Sequence, residues 1–561
     1  MGFDWKSRTN TAGLSGRALR VSVTLTATLG FSLFGYDQGL MSGLITGHEF
    51  NYEFPATKGN SVNQGAVTAC YEIGCFFGAL FAMFRGERIG RRPLIILGAF
   101  IIILGTLISV TAYRDAWGTG QFVVGRVITG IGNGMNTATI PVWQSEMSKP
   151  EKRGMLVNLE GSVVAIGTFV AYWVDFGMSY VNNSSQWRFP VAFQIFFAFF
   201  VMIGALQLPE SPRWLLSKGR REEAVFVLAA LNDVPIDDEG VDEEATAIQD
   251  AVEKVSKKQI SMKEVFTGGK TQHFRRMLIG SSTQFFQQFT GCNAAIYYST
   301  VLFEQTIGLT GKLPLILGGV FATIYALSTI PSFFLIEKLG RRNLFLIGAT
   351  GQGCSFIITF GCLVKDTTQN AKGAAVGLFL FIVFFAFTIL PLPWVYPPEI
   401  NPLRTRTVAS AISTCTNWLT NFAVVMFTPV FIANARWGCY LFFAVMNFIF
   451  VPIIFFFYPE TAGRSLEEMD IMFAKAHVEK KPVWRVAQTM PKMNHREVER
   501  AAVELGLFDE IEFQNDGFDD KASASIPDAE KEGTSGTDTP DSQENNNNHS
   551  GLFVKKGDDN V

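Results

Sequence analysis

Glu87-Arg88-Ile89-Gly90-Arg91-Arg92 returns as Glu337-Lys338-Leu339-Gly340-Arg341-Arg342. Two further pairs keep the same order at a similar offset. The Glu146 to Arg153 spacing recurs as Glu399 to Arg406, and Pro209-Glu210-Ser211 recurs as Pro459-Glu460-Thr461. Three coincidences in one order mean a duplicated half. Each motif sits just outside a long apolar run, so the repeated unit is a membrane unit. Two membrane halves facing each other is how many secondary transporters build a site near the bilayer midplane.

Composition agrees. The chain is 48% hydrophobic and 17% charged, and its 52 phenylalanines against 12 tyrosines favour lipid contact over a water-facing surface. A net charge of -3 gives no reason to expect nucleic acid as a partner. The seven cysteines lie almost all inside apolar runs without metal-ligand spacing, and read as small packing residues.

Apolar stretches long enough to span predict twelve helices, at about 21–44, 63–84, 93–113, 120–143, 157–177, 189–208, 276–305, 313–336, 344–364, 373–396, 407–432 and 437–458. The expected fold is an all-α membrane protein of two pseudo-symmetric six-helix bundles. Lys and Arg crowd the loops on one side, which makes that side cytoplasmic and places both termini there. The organisation expected is a cytoplasmic segment over 1–20, bundles over 21–208 and 276–458, a cytoplasmic helical linker over 209–275, and a cytoplasmic tail over 459–561. From about Asn515 the tail is acidic and rich in Ser, Gly and Asp, a composition that cannot bury enough apolar surface to fold. It reads as a solvating tail or as one that binds turnover or regulatory machinery.

The duplicated motifs predict a latch on the basic side. Glu87, Glu146 and Glu210 accompany Arg91 and Arg153 in the first half, as Glu337, Glu399 and Glu460 accompany Arg341 and Arg406 in the second. Carboxylate to guanidinium pairs there can tie helix ends together, and bidentate geometry favours Arg over Lys.

Charge inside hydrocarbon is costly unless paired or water-lined, so intramembrane ionisable residues mark function. Asp37 lies about 25 Å up the first helix from Arg20, at 1.5 Å per residue. Arg126 lies at similar depth in the fourth. The expectation is that Asp37 takes up a proton, weakens its hold on Arg126 and lets the halves rearrange. Glu160 and Glu72 are further intramembrane carboxylates that the sequence does not rank. The second half supplies neutral groups instead: Gln287, Gln288 and Asn293 recur at helical spacing and Asn417-Trp418 opens a later helix. Amides with Trp394 and Trp418 as flat walls suit a polyhydroxylated neutral solute. Amides also join helices to one another in membranes.

At these residues the chain resembles the sugar porter family of the major facilitator superfamily. The matching pieces are Gly125-Arg126, Pro141-Val142-Trp143-Gln144-Ser145-Glu146, Pro209-Glu210-Ser211-Pro212-Arg213, Gln287-Gln288-Phe289-Thr290-Gly291 and Pro459-Glu460-Thr461. The resemblance implies two bundles working by alternating access, and an Asp at position 37 is similar to proton-coupled members. Gly30 to Gly47, Phe50 to Lys58 and Trp418 to Pro429 resemble the fungal glycerol-proton symporters within the family. Set against the hexose pattern, the expected Gln of the fifth helix is Gly161, with Glu160 beside it. The expected Asn of the eighth helix is Tyr325, and the expected Glu of the tenth is Ala386. A small polyol fits that loss of hydrogen-bonding groups better than a hexose.

The resulting expectation is a plasma-membrane, proton-coupled symporter for a small polyol, glycerol first. It has no cofactor beyond protons as coupling ion, and its partners are solute, protons and lipid. A hexose or pentose transporter and a non-transporting nutrient sensor stay open as alternatives. No nucleophile, metal set or phosphate loop points to an enzyme.

Overall fold

The structure, a computed structural model, describes residues 9–148, 153–257, 265–266, 268–364, 368–402, 404–493 and 495–507. The apolar runs fold as helices that reverse at the charged turns. The first half comprises α1 (Gly16–Leu44), α2 (Ser61–Ile89), α3 (Arg91–Val110), α4 (Thr119–Glu146), α5 (Arg153–Met178) and α6 (Ser185–Gln207). The second begins with α7 (His273–Phe289, continued by Cys292–Val301) and α8 (Leu313–Leu327, continued by Ser332–Leu339). It goes on with α9 (Arg341–Leu363) and α10 (Thr368–Phe384, continued through a π-turn to Leu392–Ile400), then α11 (Arg406–Ala435) and α12 (Trp437–Phe457).

Among the described residues nine helices are individually long and apolar enough to cross a bilayer, and the α8 pair, bent by 48°, makes a tenth. The expected twelve is reached only with α4 and α7, and each falls short for a local reason. In α4 the apolar run is diluted by Arg126, Asn133, Asn136 and several glycines. In α7 the helix is cut at Thr290-Gly291, where Gly291 takes φ +92°. A side chain there is excluded twice over, by that backbone conformation and by Phe443, 2.8 Å from where a Cβ would stand.

Close packing explains the glycines of α2 and α4. A Cβ on Gly74, Gly78, Gly130 or Gly134 would come within 2.0–2.2 Å of a carbonyl oxygen on the facing helix. The two backbones therefore touch, as small-residue interfaces allow in membranes. Elsewhere α1 packs on α5 and α6, α3 on α4 and α6, and α9 on α10 and α12. The halves meet through α2 with α11, α5 with α8, and α1 with the second piece of α7. Counting six helices onward turns α2 into α8 and α5 into α11, so the first two contacts are copies of each other.

The duplicated motifs acquire a structural cause. Gly90 and Gly340 take φ +102° and +82°, which reverses the chain between α2 and α3 and again between α8 and α9. Each reversal leaves backbone N–H groups unpaired at a helix start. Glu210 accepts them from Arg91 at 3.0 Å and Arg92 at 3.2 Å, while Glu460 accepts them from Arg341 at 2.8 Å and Arg342 at 3.1 Å. A carboxylate at that end also suits the helix dipole.

Between the halves run the short helices Pro212–Ser217, Arg221–Asn232 and Glu239–Lys257, all on the basic side. After α12 come Leu466–Val478, opened by a capping box of Ser465 and Glu468, then Val483–Thr489 and His495–Leu505. The acidic tail expected from about Asn515 lies outside the described residues.

Candidate functional site

Asp37 on α1 and Arg126 on α4 form an ion pair in the first half, each 1% exposed. The Arg126 guanidinium also lies over the Tyr71 ring, 4.7 Å from its centroid. A lone charge here would be untenable, and the pair is what makes either tolerable. The pairing is incomplete, since Asp37 Oδ2 and Arg126 Nε and Nη2 find no protein partner. These unmet groups make the pair a place where water or a proton can intervene.

A cavity between the halves gathers residues from five helices. It is lined by Phe31, Phe34 and Gln38 of α1, Glu160, Gly161 and Val164 of α5, Gln287, Gln288, Cys292 and Asn293 of α7, Leu390 and Trp394 of α10, and Asn417 of α11. Seven of the residues singled out in the sequence therefore line it: Glu160 and Gly161 from the first half, and Gln287, Gln288, Asn293, Trp394 and Asn417 from the second. Gln38, Phe31 and Phe34 were not anticipated. Nothing basic lines the cavity, and Glu160 is its one acidic group.

The amides are held in register by one another and by broken backbone. Asn417 Nδ2 donates to Gln284 Oε1 at 2.6 Å and to Gln287 Oε1 at 3.1 Å. Gln287 Nε2 donates to the carbonyls of Ile389 and Leu390 at 3.3 and 3.2 Å, and Gln284 Nε2 donates to that of Pro393 at 2.7 Å. The π-turn Phe385–Ile389 and the prolines after it free those carbonyls from the helix ladder. A second set joins Asn293 Nδ2 to Gln288 Oε1 and to Asn421 Oδ1, both at 2.8 Å. The amides thus knit α7, α10 and α11 together and still face the cavity.

Two expected substrate contacts stand one layer back. Tyr325 is buried on α8 against Phe385, with ring centroids 6.0 Å apart, and its hydroxyl has no partner. Its neighbour Cys292 reaches the wall instead. Trp418 is fully buried and meets Phe34 edge-on at 5.3 Å, so Phe34 rather than Trp418 is the aromatic surface presented there. Counting along a sequence fixes depth along a helix, not the direction a side chain faces.

On the basic side the expected carboxylate–guanidinium pairs form within each half. Arg91 bonds Glu146 at 3.1 Å and Glu87 at 2.7 Å, and Arg341 bonds Glu399 at 2.8 Å and Glu337 at 3.0 Å. Thr461 adds a hydrogen bond to Glu399 at 2.6 Å. The repeated Glu399 to Arg406 spacing does not make a pair: Arg341 holds Glu399, and Arg406 lies near Arg276 and Asp470. The Arg153 side chain lies outside the described part. Arg276, fully buried, bonds Asp470 at 2.5 Å and so ties α7 to Leu466–Val478.

The opposite side is closed by bonds between the halves. Ser42 Oγ meets Thr300 Oγ1 at 3.1 Å and Tyr172 donates to the Ile296 carbonyl at 2.5 Å, while within the second half Tyr298 donates to the Val425 carbonyl at 2.9 Å and holds that piece of α7 on α11. Three of these four second-half residues, Ile296, Tyr298 and Thr300, belong to the short piece of α7 beyond Gly291.

Residues 23–473 match the family described as "Sugar (and other) transporter". The chain belongs to the sugar porter family of the major facilitator superfamily. This sugar porter is 61% identical to the sugar transporter STL1 of Saccharomyces cerevisiae, over 91% of this chain and 92% of that one. It is 58% identical to the major facilitator superfamily transporter mfsA of Aspergillus fumigatus, over 89% and 94%. Its fold superposes on the proton:xylose symporter XylE bound to 6-bromo-6-deoxy-D-glucose with a TM-score of 0.68 and 25% identity, covering 81% of this chain and 99% of that chain. The protein is thus a multi-pass membrane transporter and not an enzyme.

Within this sugar porter, sequence reasoning missed Gln38, Gln284 and Asn421. Gln284 had a usable signal, because it continues the amide face of Gln287 and Gln288 one turn earlier. Asn421 likewise follows Asn417 by one turn. Gln38 had none beyond its place next to Asp37.

Proposed function

We propose that this sugar porter is a proton-coupled symporter that imports a small polyol, glycerol first, by alternating access. The observation that carries the reading is the buried Asp37–Arg126 pair in one half beside a cavity whose other wall is neutral amide. Such a wall offers donors and acceptors to hydroxyl groups and no counter-charge to an ionic solute. The resemblance of Gly30 to Gly47 and Trp418 to Pro429 to glycerol-proton symporters supports the choice of solute. So does Gly161, which presents no side-chain amide where a hexose would want one.

Asp37 and Arg126 then form the proton-coupling centre, with Glu160 as a carboxylate at the cavity edge. Gln287, Gln288, Asn293, Trp394 and Asn417 bind the solute, and Tyr325 and Trp418 set the shape of the wall from behind. The pairs around Arg91 and Arg341 brace each half on the cytoplasmic side as the two rock. In this reading 21–208 and 276–458 move as two bodies joined by the linker 209–275, in the plasma membrane, with both termini cytoplasmic. The coupling is worth having: about 150 mV moves one charge with ~3.5 kcal/mol, and one pH unit adds ~1.4 kcal/mol. Together these support accumulation on the order of 10³-fold.

The test is labelled glycerol uptake in cells lacking other glycerol transporters, with a pH electrode and an uncoupler. Uphill uptake that alkalinises the medium and collapses with the uncoupler is expected. Downhill uptake blind to pH, or competition by hexoses at equal concentration, moves the assignment to a sugar uniporter. Binding without turnover moves it to a sensor.

A further inference from the structure

Glu72 on α2 is fully buried, and its Oε1 accepts a hydrogen bond from the Tyr297 hydroxyl at 2.5 Å. Its Oε2 has no partner. Tyr297 stands on Cys292–Val301, the piece of α7 that also closes the non-basic side through Thr300 and the Ile296 carbonyl. The same piece opens with Asn293, which lines the cavity. One ten-residue helix, cut loose from the rest of α7 at Gly291, therefore touches the solute site at one end, the closure at the other and a carboxylate of the opposite half between them.

Charge decides what that carboxylate must be. The ionisable groups facing Glu72 are Asp37 from α1, Cys70, Tyr71 and Cys75 from its own helix, Arg126 from α4, and Tyr297 and Tyr298 from α7. Arg126 is the one cation among them, and it is engaged by Asp37. One guanidinium against two carboxylates leaves one negative charge uncompensated when the site is shut. Holding an unpaired carboxylate there costs several kcal/mol or more, whereas a neutral carboxyl group costs far less.

We propose that Glu72 is a second proton-carrying carboxylate, and that its protonation allows Tyr297 to draw the short piece of α7 shut over a bound solute. The proton comes from water on the non-basic side while that side is open, resides on Oε2 during closure, and leaves to water when the other side opens. Solute on Asn293 and proton on Glu72 act one helical turn apart on the same segment, ahead of its kink at Tyr298, so closure needs both. This rests on the symport reading and names the device that couples its two substrates.

The test uses the full chain reconstituted in vesicles, with proton flux and labelled glycerol counterflow measured together. Glu72→Gln keeps an acceptor for Tyr297 but cannot exchange a proton. It is expected to retain counterflow, to move fewer protons per solute and to show a weaker pH dependence of counterflow than wild type, while Glu72→Asp restores both at a lower rate. A Glu72→Gln protein with the wild-type proton ratio and pH profile overturns the proposal. Should that variant not reach the membrane, Tyr297→Phe carries the test: counterflow slows by about fivefold, the worth of one net hydrogen bond, with the proton ratio kept. A wild-type rate in Tyr297→Phe, or a changed proton ratio, overturns it as well. Wild-type protein that moves glycerol and no protons would instead overturn symport itself.

Discussion

Replacing Asp37 with Asn removes the carboxylate that Arg126 is bonded to and leaves a guanidinium, 1% exposed, with no counter-charge. Breaking a buried pair from one side costs about 3–5 kcal/mol, because the surviving charge stays buried. Part of that is already met, since Arg126 sits over the Tyr71 ring, a contact worth about 0.5–2 kcal/mol. A net loss of about 1–4.5 kcal/mol is therefore expected for Asp37→Asn. The double variant Asp37→Asn/Arg126→Gln should recover most of it, because no charge remains. Function should separate from stability. Both variants lose the share of uphill accumulation driven through Asp37, on the order of 10³-fold for one proton, yet the stable double variant still equilibrates glycerol. The assay pairs thermal unfolding of purified protein with steady-state accumulation at acid external pH. The reasoning is refuted if Asp37→Asn is as stable as wild type, or if the double variant accumulates glycerol as far as wild type does.

Three more outcomes rest on single contacts. Gly78→Val places a side chain where a Cβ alone would stand 2.0 Å from the Ile131 carbonyl oxygen, so α2 and α4 must part and little protein should reach the cell surface by immunodetection. Asn417→Leu removes donors to both Gln284 and Gln287 and should weaken glycerol binding about 10- to 100-fold in equilibrium binding, the cost of leaving buried acceptors unmet. Tyr325→Phe removes a hydroxyl that has no partner and should change neither uptake rate nor competition by larger polyols. Tyr325→Asn, in contrast, opens space behind Cys292 and should admit them as competitors.

The duplication made the architecture legible, because a short motif with an invariant chemical task leaves the same residues twice. Gly90 and Gly340 must turn with positive φ, and Glu210 and Glu460 must cap the helices beyond those turns. Depth was legible by counting along the helices, which set Asp37 and Arg126 at one level. Facing was not. Tyr325, just before the 48° bend of α8, stands one layer behind the cavity, while Cys292, just after the break at Gly291, lines it. The Glu399 to Arg406 spacing misled because it repeats for a different reason in each partner: Glu399 answers Arg341, and Arg406 lies near Asp470. Contacts between the halves, such as Glu72 with Tyr297, leave no periodic trace at all. They depend on which side of the transporter is shut.

The measurement that bears most directly on proton-coupled polyol import is net glycerol movement in reconstituted vesicles that start with equal glycerol on both sides and an imposed proton gradient. Accumulation on the alkaline side, reversed when the gradient is reversed and abolished by an ionophore that collapses it, is the predicted result. Glycerol that stays at equal concentration while the same vesicles carry out rapid counterflow would contradict proton coupling and leave a facilitator in its place.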